Sequence, residues 1–236
     1  MLAIYRLVRV GFNVLFQLIL TRRFIGQENF PEPPYLLVTN HISALDTPIL
    51  CTLCPHIIRA FVAEKHKRNP LFAPVMYMTK GIWVKRGEID RQALRQALEL
   101  LSREEVLGIA PEGTRSRVTH ALLEGKTGAA YLATRANVPI VPVALIGTQC
   151  LKPNILRLRR TQVQAVVGKP FRLPENRRAR SQQLQEYTEL IMHKIAELLP
   201  EEYQGVYRES TRSKRTESLN PAQEDTSLLM GYESSN

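Results

Sequence analysis

Six short apolar runs recur along this chain, with stretches of helical character between them. Tyr35–Val38, Ile57–Val62, Ile82–Val84, Val106–Ala110, Val138–Leu145 and Val163–Val167 read as strands. A short helix is expected from about Asp46. Asp90 caps a second helix, whose Leu94, Ala97, Leu98 and Leu101 fall at amphipathic spacing. Gly125–Ala136 reads as another helix. Ser181–Leu199 reads as a long one, with Leu184, Tyr187, Ile191, Ile195 and Leu198 on one face. The stretch Lys65–Met78, interrupted by Pro70 and Pro74, reads as helix or loop. Strands alternating with helices define an α/β fold, a single layered domain with a largely parallel sheet flanked by helices. Within it, Pro139 and Pro142 predict that Val138–Leu145 is an edge strand or an irregular wall, since proline cannot donate to a ladder.

The 236 residues, 44% hydrophobic and 23% charged, suit one globular domain with ample core. That domain is expected over residues 31–206. From about Tyr207 the chain is dominated by Ser, Thr, Glu and Arg, which predicts a disordered tail over residues 207–236.

Residues 1–30 form the remaining unit, an N-terminal helix and linker. Arg6, Arg9, Asn13 and Gln17 recur at helical period and make one narrow polar stripe on an otherwise apolar helix. Arginines inside the apolar stretch, and no small-residue cleavage pattern after Leu20, exclude a secretory signal. A helix docked on the protein's own core would keep more polar surface than this, and a spanning helix would bury its arginines at high cost. The pattern therefore predicts a helix lying in a membrane interface, with Arg22 and Arg23 favouring an anionic, cytoplasmic leaflet. The expected localisation is peripheral or monotopic, on the cytoplasmic face.

The formal net charge of +10 favours an anionic partner without choosing among phosphate ligands, lipid surfaces and nucleic acid. Aromatic residues are only 7% and no nucleic-acid motif is present, so no stacking platform for bases is expected. Three cysteines make no disulfide framework. Cys51 and Cys54 lie in an apolar run and read as buried packing residues, not metal ligands or a redox pair.

Chemistry is expected in loops at the carboxyl ends of strands. Asn40-His41-Ile42-Ser43-Ala44-Leu45-Asp46 follows the first strand. On a regular helix His41 and Asp46 would lie about 140° apart, so they meet only if His41 is in the loop and Asp46 begins the helix. Pro48 fits that placement, because proline is tolerated in a first turn. A second loop, Pro111-Glu112-Gly113-Thr114-Arg115-Ser116, combines a permissive glycine, hydroxyls and a guanidinium suited to phosphate. The short strand Gly81–Val84 runs into Lys85, Arg86 and Gly87, and Val138–Val143 carries the two prolines.

Together and in this order, these four motifs resemble the 1-acylglycerol-3-phosphate acyltransferases and the wider glycerolipid acyltransferase superfamily. The likeness covers Tyr35 to Leu145: N-H-x-x-x-x-D, G-x-x-x-x-R, P-E-G-T-R-S and V-P-I-V-P-V. One departure is Ala110, where the family usually carries phenylalanine. The resemblance implies that His41 is a general base, removing a proton from a glycerol hydroxyl as it attacks an acyl thioester, a role suited to imidazole near neutral pH. Asp46 would hold the productive tautomer. Glu112, Gly113, Thr114 and Arg115 take the acceptor-binding place, Arg86 that of the second motif's arginine, and Lys65 resembles a phosphate-contacting lysine. The segment Ala63–Pro70 is a residue short of the family spacing, which leaves Lys67 and Arg68 as alternatives to Lys65. Ile140 and Val143 would help wall the acyl site.

The implied enzyme is an acyl-thioester-dependent O-acyltransferase converting 1-acylglycerol-3-phosphate to phosphatidic acid. It needs no metal and no cofactor beyond acyl-CoA or acyl-carrier protein as co-substrate. Its partners would be membrane lipids, that donor and a lysophospholipid acceptor, not nucleic acid. Two alternatives stand beside it. One changes the acceptor, for example to a lyso-ornithine lipid. The other is a non-catalytic basic module binding membrane or nucleic acid. The basic run from Lys152 to Arg180 could meet lipid headgroups, coenzyme A phosphates or an acidic carrier protein.

Overall fold

A computed structural model describes residues 2–64, 67, 81–84, 90–174 and 179–219. Seven strands form one sheet: β1 (Leu20–Ile25), β2 (Tyr35–Thr39), β3 (Ile58–Ala63), β4 (Ile82–Val84), β5 (Val106–Ile109), β6 (Ile140–Ile146) and β7 (Thr161–Val167). Their order is β1-β7-β6-β2-β5-β3-β4. Every pairing is parallel except that of β6 with β7. The helices are α1 (Leu2–Ile19), α2 (Asp46–Leu53), α3 (Arg91–Ser102), α4 (Gly128–Ala136), α5 (Leu151–Leu156), α6 (Ser181–Ala196) and α7 (Arg208–Leu219).

The central strands are apolar throughout because both faces of the sheet are covered. Leu36 and Val38 of β2 point into a cluster with Ala97, Leu132 and Ile191 of α3, α4 and α6. Tyr35 and Leu37 point the other way, onto Phe16 of α1 and Ile49 and Leu53 of α2. The residue-by-residue alternation thus splits one apolar run between two cores. Asp90 caps α3 as expected, its carboxylate accepting from Ala93 N at 3.0 Å.

Three expectations are corrected. β6 is neither an edge nor an irregular wall: it lies between β7 and β2, in the middle of the sheet. Its prolines are tolerated because Pro139 precedes the strand, while Pro142 sits just beyond the antiparallel ladder, which ends at Val143 opposite Val167. The Pro142 carbonyl still accepts from Gly168 N at 2.8 Å. The linker expected after the N-terminal helix contains an edge strand, β1, paired with β7 from Leu20–Thr161 to Ile25–Val166. The disorder expected from residue 207 gives way to α7. Tyr207 is buried, its hydroxyl accepts from Gly125 N at 3.1 Å, and its ring meets His193 edge-on. Tyr207 and the buried Thr211 anchor the first turns of a polar helix that composition alone would leave unfolded. Residues 220–236 lie outside the described residues.

α1 has two apolar faces. Tyr5 and Phe16 are buried against the body of the protein, with Phe12 packed beside them. Leu7, Val10, Val14, Leu15 and Leu18 point outward, 46 to 73% exposed. The polar stripe between them is engaged at its edge: Arg9 donates to Pro55 O at 3.2 Å, and Asn13 Oδ1 accepts from Arg22 at 2.9 Å. Among the described residues no helix is long and apolar enough to cross a membrane.

Candidate active site

β2 ends at Thr39, and the next residue holds the loop in place. The Asn40 amide donates to Leu145 O and accepts from Leu145 N, both at 2.8 Å, so its side chain continues the β2–β6 pairing after the backbone has turned away. Its burial makes both bonds necessary, since an unpaired group there carries its full desolvation cost.

His41 therefore leaves the sheet in a fixed direction. Its Nδ1 lies 2.8 Å from Asp46 Oδ2, and Asp46 is the first residue of α2. The loop-then-helix placement required by the five-residue spacing is the one adopted. Asp46 Oδ2 also accepts from Ile42 N at 2.9 Å and Ser43 N at 2.8 Å, and Oδ1 accepts from Thr148 Oγ1 at 2.6 Å. Every other partner of this buried carboxylate is a donor, so the imidazole must donate as well. That assigns the proton to Nδ1 and leaves Nε2 as an acceptor, on a ring that is 20% exposed.

The second loop is tied to the first. Glu112, buried after β5, accepts from His41 N at 2.8 Å and from Leu123 N at 3.1 Å, and Ser116 N donates to His41 O at 2.8 Å. Burial pushes Glu112 up to about 7. The Asp46 charge acts in the same direction, and the two backbone donors oppose it. Glu112 is thus a brace beneath the histidine.

A cleft of about 800 Å³ opens beside this pair. His41, Asp46, Gly113 and Lys126 stand along it, together with Leu50, Ile58, Phe61, Val84, Leu94, Leu98 and Ile109 from α2, β3, β4, α3 and β5. An apolar slot thus runs past an imidazole and a lysine. Such a cleft can take a long acyl chain and a phosphate together.

The remaining expected residues are dispersed. Thr114 and Arg115 follow Gly113 on the loop but do not line the cleft. Ile140 and Val143 do not wall it either. They are fully buried in β6, pointing into opposite cores. Their motif is apolar because β6 is central, and the apolar wall comes from α3, β3 and β5. Lys65 and Arg86 lie outside the described residues. Lys67 pairs with Glu64 at 2.6 Å and sits 5.6 Å over the Trp83 ring. Two residues of the site were missed. Lys126 had a usable signal, a cation in Gly125-Lys126-Thr127-Gly128 at the start of a helix. Thr148, 102 residues from its carboxylate, had none. Among the described residues no group of His, Cys, Asp and Glu is arranged to hold a metal.

The fold is an α/β protein with a His–Asp pair at the carboxyl ends of the strands of a mostly parallel sheet, beside an apolar cleft. The chain belongs to the acyltransferase family, whose model matches residues 21–146. A 1-acyl-sn-glycerol-3-phosphate acyltransferase of Chlamydomonas reinhardtii is 35% identical over 166 residues, 66% of this chain and 47% of the relative. That of Saccharomyces cerevisiae is 28% identical over 138 residues, 55% of this chain and 44% of the relative. The chain spans about half the length of these curated relatives. The crystal structure of PlsC, the 1-acyl-sn-glycerophosphate acyltransferase of Thermotoga maritima, shares the fold, with a TM-score of 0.63 at 22% identity over 89% of this chain and 79% of that one.

Proposed function

We propose that this chain is a membrane-bound O-acyltransferase that moves a fatty acyl group from a thioester to the free hydroxyl of 1-acylglycerol-3-phosphate, giving phosphatidic acid. The observation that carries the reading is the His41–Asp46 pair at 2.8 Å beside an apolar cleft of about 800 Å³.

His41 Nε2 takes the hydroxyl proton as that oxygen attacks the thioester carbonyl. Asp46, held by three donors besides the imidazole, stabilises the imidazolium that forms. The carbon–sulfur bond then breaks, the ester remains on the acceptor, and the thiolate leaves with the proton from His41. The acceptor is itself the nucleophile, so no acyl-enzyme is needed. The acyl chain lies along the slot between α3 and the sheet, and Lys126, which lines the cleft, meets the acceptor phosphate. Acyl-CoA or acyl-carrier protein serves as donor. The outward apolar face of α1 lies in the interfacial zone of an anionic membrane on its cytoplasmic side, where its 46 to 73% exposed side chains leave water.

The test is thioester consumption by the detergent-solubilised protein with acyl-CoA and carrier-protein donors and a panel of lysolipid acceptors, alongside His41→Ala. Acceptor-dependent turnover, highest with 1-acylglycerol-3-phosphate and lost in His41→Ala, is expected. Turnover that persists in the variant would remove His41 from the mechanism, and a preferred acceptor without phosphate would change the substrate.

A further inference from the structure

The connection from β6 to β7 carries an exposed surface that the proposed reaction does not use. It begins at Gly147, passes Thr148, forms α5 and returns through Arg157–Arg160 to Thr161. Ile155, Leu156 and Leu158 are 42, 77 and 97% exposed. Lys152, Arg157, Arg159 and Arg160 surround them, and the segment holds no acidic residue. Leu158 has a φ of 52°, a left-handed conformation that a bulky side chain rarely adopts. Asparagine or glycine would relax that turn, yet a leucine stands at its tip. The backbone there is closed on itself: the amides of Arg157 and Arg159 both donate to Asn154 O, and that of Leu158 donates to Ile155 O. A turn that pairs its own amides can enter the interfacial layer without stranding polar groups.

Topology places this turn. Thr39 of β2 aligns with Val143, β6 runs antiparallel to β7 with Ile146 opposite Gln164, and Thr161 aligns with Leu20. The starts of β7 and β1 therefore lie at the same edge of the sheet as the carboxyl end of β2, where His41 begins. Arg160 fastens the turn to the end of α1, donating to Gln17 O at 2.8 Å and Leu20 O at 2.5 Å. The C-terminal end of α1, which carries the exposed Leu18, therefore meets the β6–β7 connection at the catalytic end of the sheet, while the first half of α1 runs back to Pro55 and His56 before β3.

We propose that the β6–β7 connection is a second membrane-contact element, in which Leu156 and Leu158 enter an anionic bilayer while Lys152, Arg157 and Arg159 engage lipid phosphates. It rests on the membrane-bound reading above for its purpose, and on its own residues for its binding. Two contacts at one edge would set the orientation of the cleft, where α1 alone leaves the molecule free to roll about the helix axis. The connection also carries Thr148, so the element that meets the membrane holds the Asp46 carboxylate.

The experiment is vesicle co-sedimentation of the full chain with phosphatidylcholine alone and with phosphatidylcholine mixed with phosphatidylglycerol. The variants are L156S/L158N, R157Q/R159Q and, on α1, L7S/L18S. Turnover on a short-chain monomeric acceptor runs alongside. L156S/L158N is expected to bind mixed vesicles about ten-fold or more weakly. R157Q/R159Q should lose about ten-fold on mixed vesicles, where each basic residue contributes, and little on neutral ones. Turnover of the monomeric acceptor should be unchanged in both. Because the second pair retains the leucines, it decides the matter should L156S/L158N melt early. If neither pair weakens binding while L7S/L18S does, the connection is not a membrane contact and the role of α1 survives. Should the parent bind neither vesicle, the inference and the membrane reading fall together. If R157Q/R159Q binds vesicles normally but loses turnover only from a carrier-protein thioester, the surface docks an acidic carrier instead, and the proposal is overturned. Absence of turnover in the parent would count against the catalytic reading alone.

Discussion

Thr148, just after β6, donates its hydroxyl at 2.6 Å to Oδ1 of Asp46, which follows the neighbouring strand β2. Three other donors converge on Oδ2, so Thr148 alone balances the opposite oxygen. Thr148→Val keeps the volume and removes the donor, leaving one buried carboxylate oxygen unpaired at a cost of about 1–3 kcal/mol. We expect kcat to fall roughly ten- to hundred-fold with KM little changed, because the imidazole loses its orientation and the substrates keep their contacts. Thr148→Ser should restore most of the rate. A loss confined to KM would show that Thr148 does not act through Asp46.

Asn40 replaces a backbone pair with a side chain. Asn40→Ala would leave Leu145 N and O without partners inside the sheet, and roughly 2–4 kcal/mol of stability is expected to go with them. The denaturant midpoint would fall without a large change in m-value. A variant as stable as the parent would mean that water replaces the amide, so that the loop does not depend on it.

Glu112 makes stability depend on pH in an unusual direction. Its unfolded value is near 4.5, and burial raises it to about 7 in the fold. Between these values the folded protein keeps a proton that the unfolded chain has already shed. Its contribution is therefore fully present at low pH and is lost as pH rises through this window. The melting temperature of the parent should fall, relative to that of Glu112→Gln, from pH 4.5 to pH 7. A difference that is flat with pH would mean that Glu112 is charged throughout. Glu112→Gln should itself be less stable, since His41 N and Leu123 N compete for one remaining acceptor oxygen.

The strands were legible because burial on both faces leaves an apolar run that nothing else in the chain imitates, as at Tyr35–Val38. The His41–Asp46 contact was legible because Pro48 fixes where the helix must start. β1 was hidden by its own sequence: Leu20-Thr21-Arg22-Arg23-Phe24-Ile25 reads as the charged end of a helix, and only its pairing with a strand 141 residues away makes it a strand. The position of β6 was misjudged because a proline's missing N–H matters only on the side where a ladder continues, and the extent of a ladder is not written locally. Ile140 and Val143 illustrate the same limit. An apolar motif says that a segment is buried, not which cavity it faces. Lys126 and Thr148 entered the site from connections at other points of the chain, joined to it only by the fold.

Lys126 lies against the Pro111–Ser116 loop at the cleft. Gly113 has a φ of 66°, and a Cβ there would come within 3.0 Å of Lys126 Cδ, so the glycine gives the lysine room to lie over the loop. Lys126 lines the cleft beside His41 and Arg115 does not. If the acceptor phosphate sits against Lys126, removing a charge-assisted hydrogen bond should raise KM for the acceptor about ten- to hundred-fold in Lys126→Met, with kcat held within a few-fold. Gly113→Ala should raise the same KM by displacing the lysine, and should lower stability because alanine is strained at positive φ. Arg115→Met is the counter-experiment. A KM increase in that variant with none in Lys126→Met would place the phosphate on the Pro111–Ser116 loop and leave Lys126 as a solvated charge. Increases in both would make the site a two-cation clamp, with Gly113 as the hinge between them.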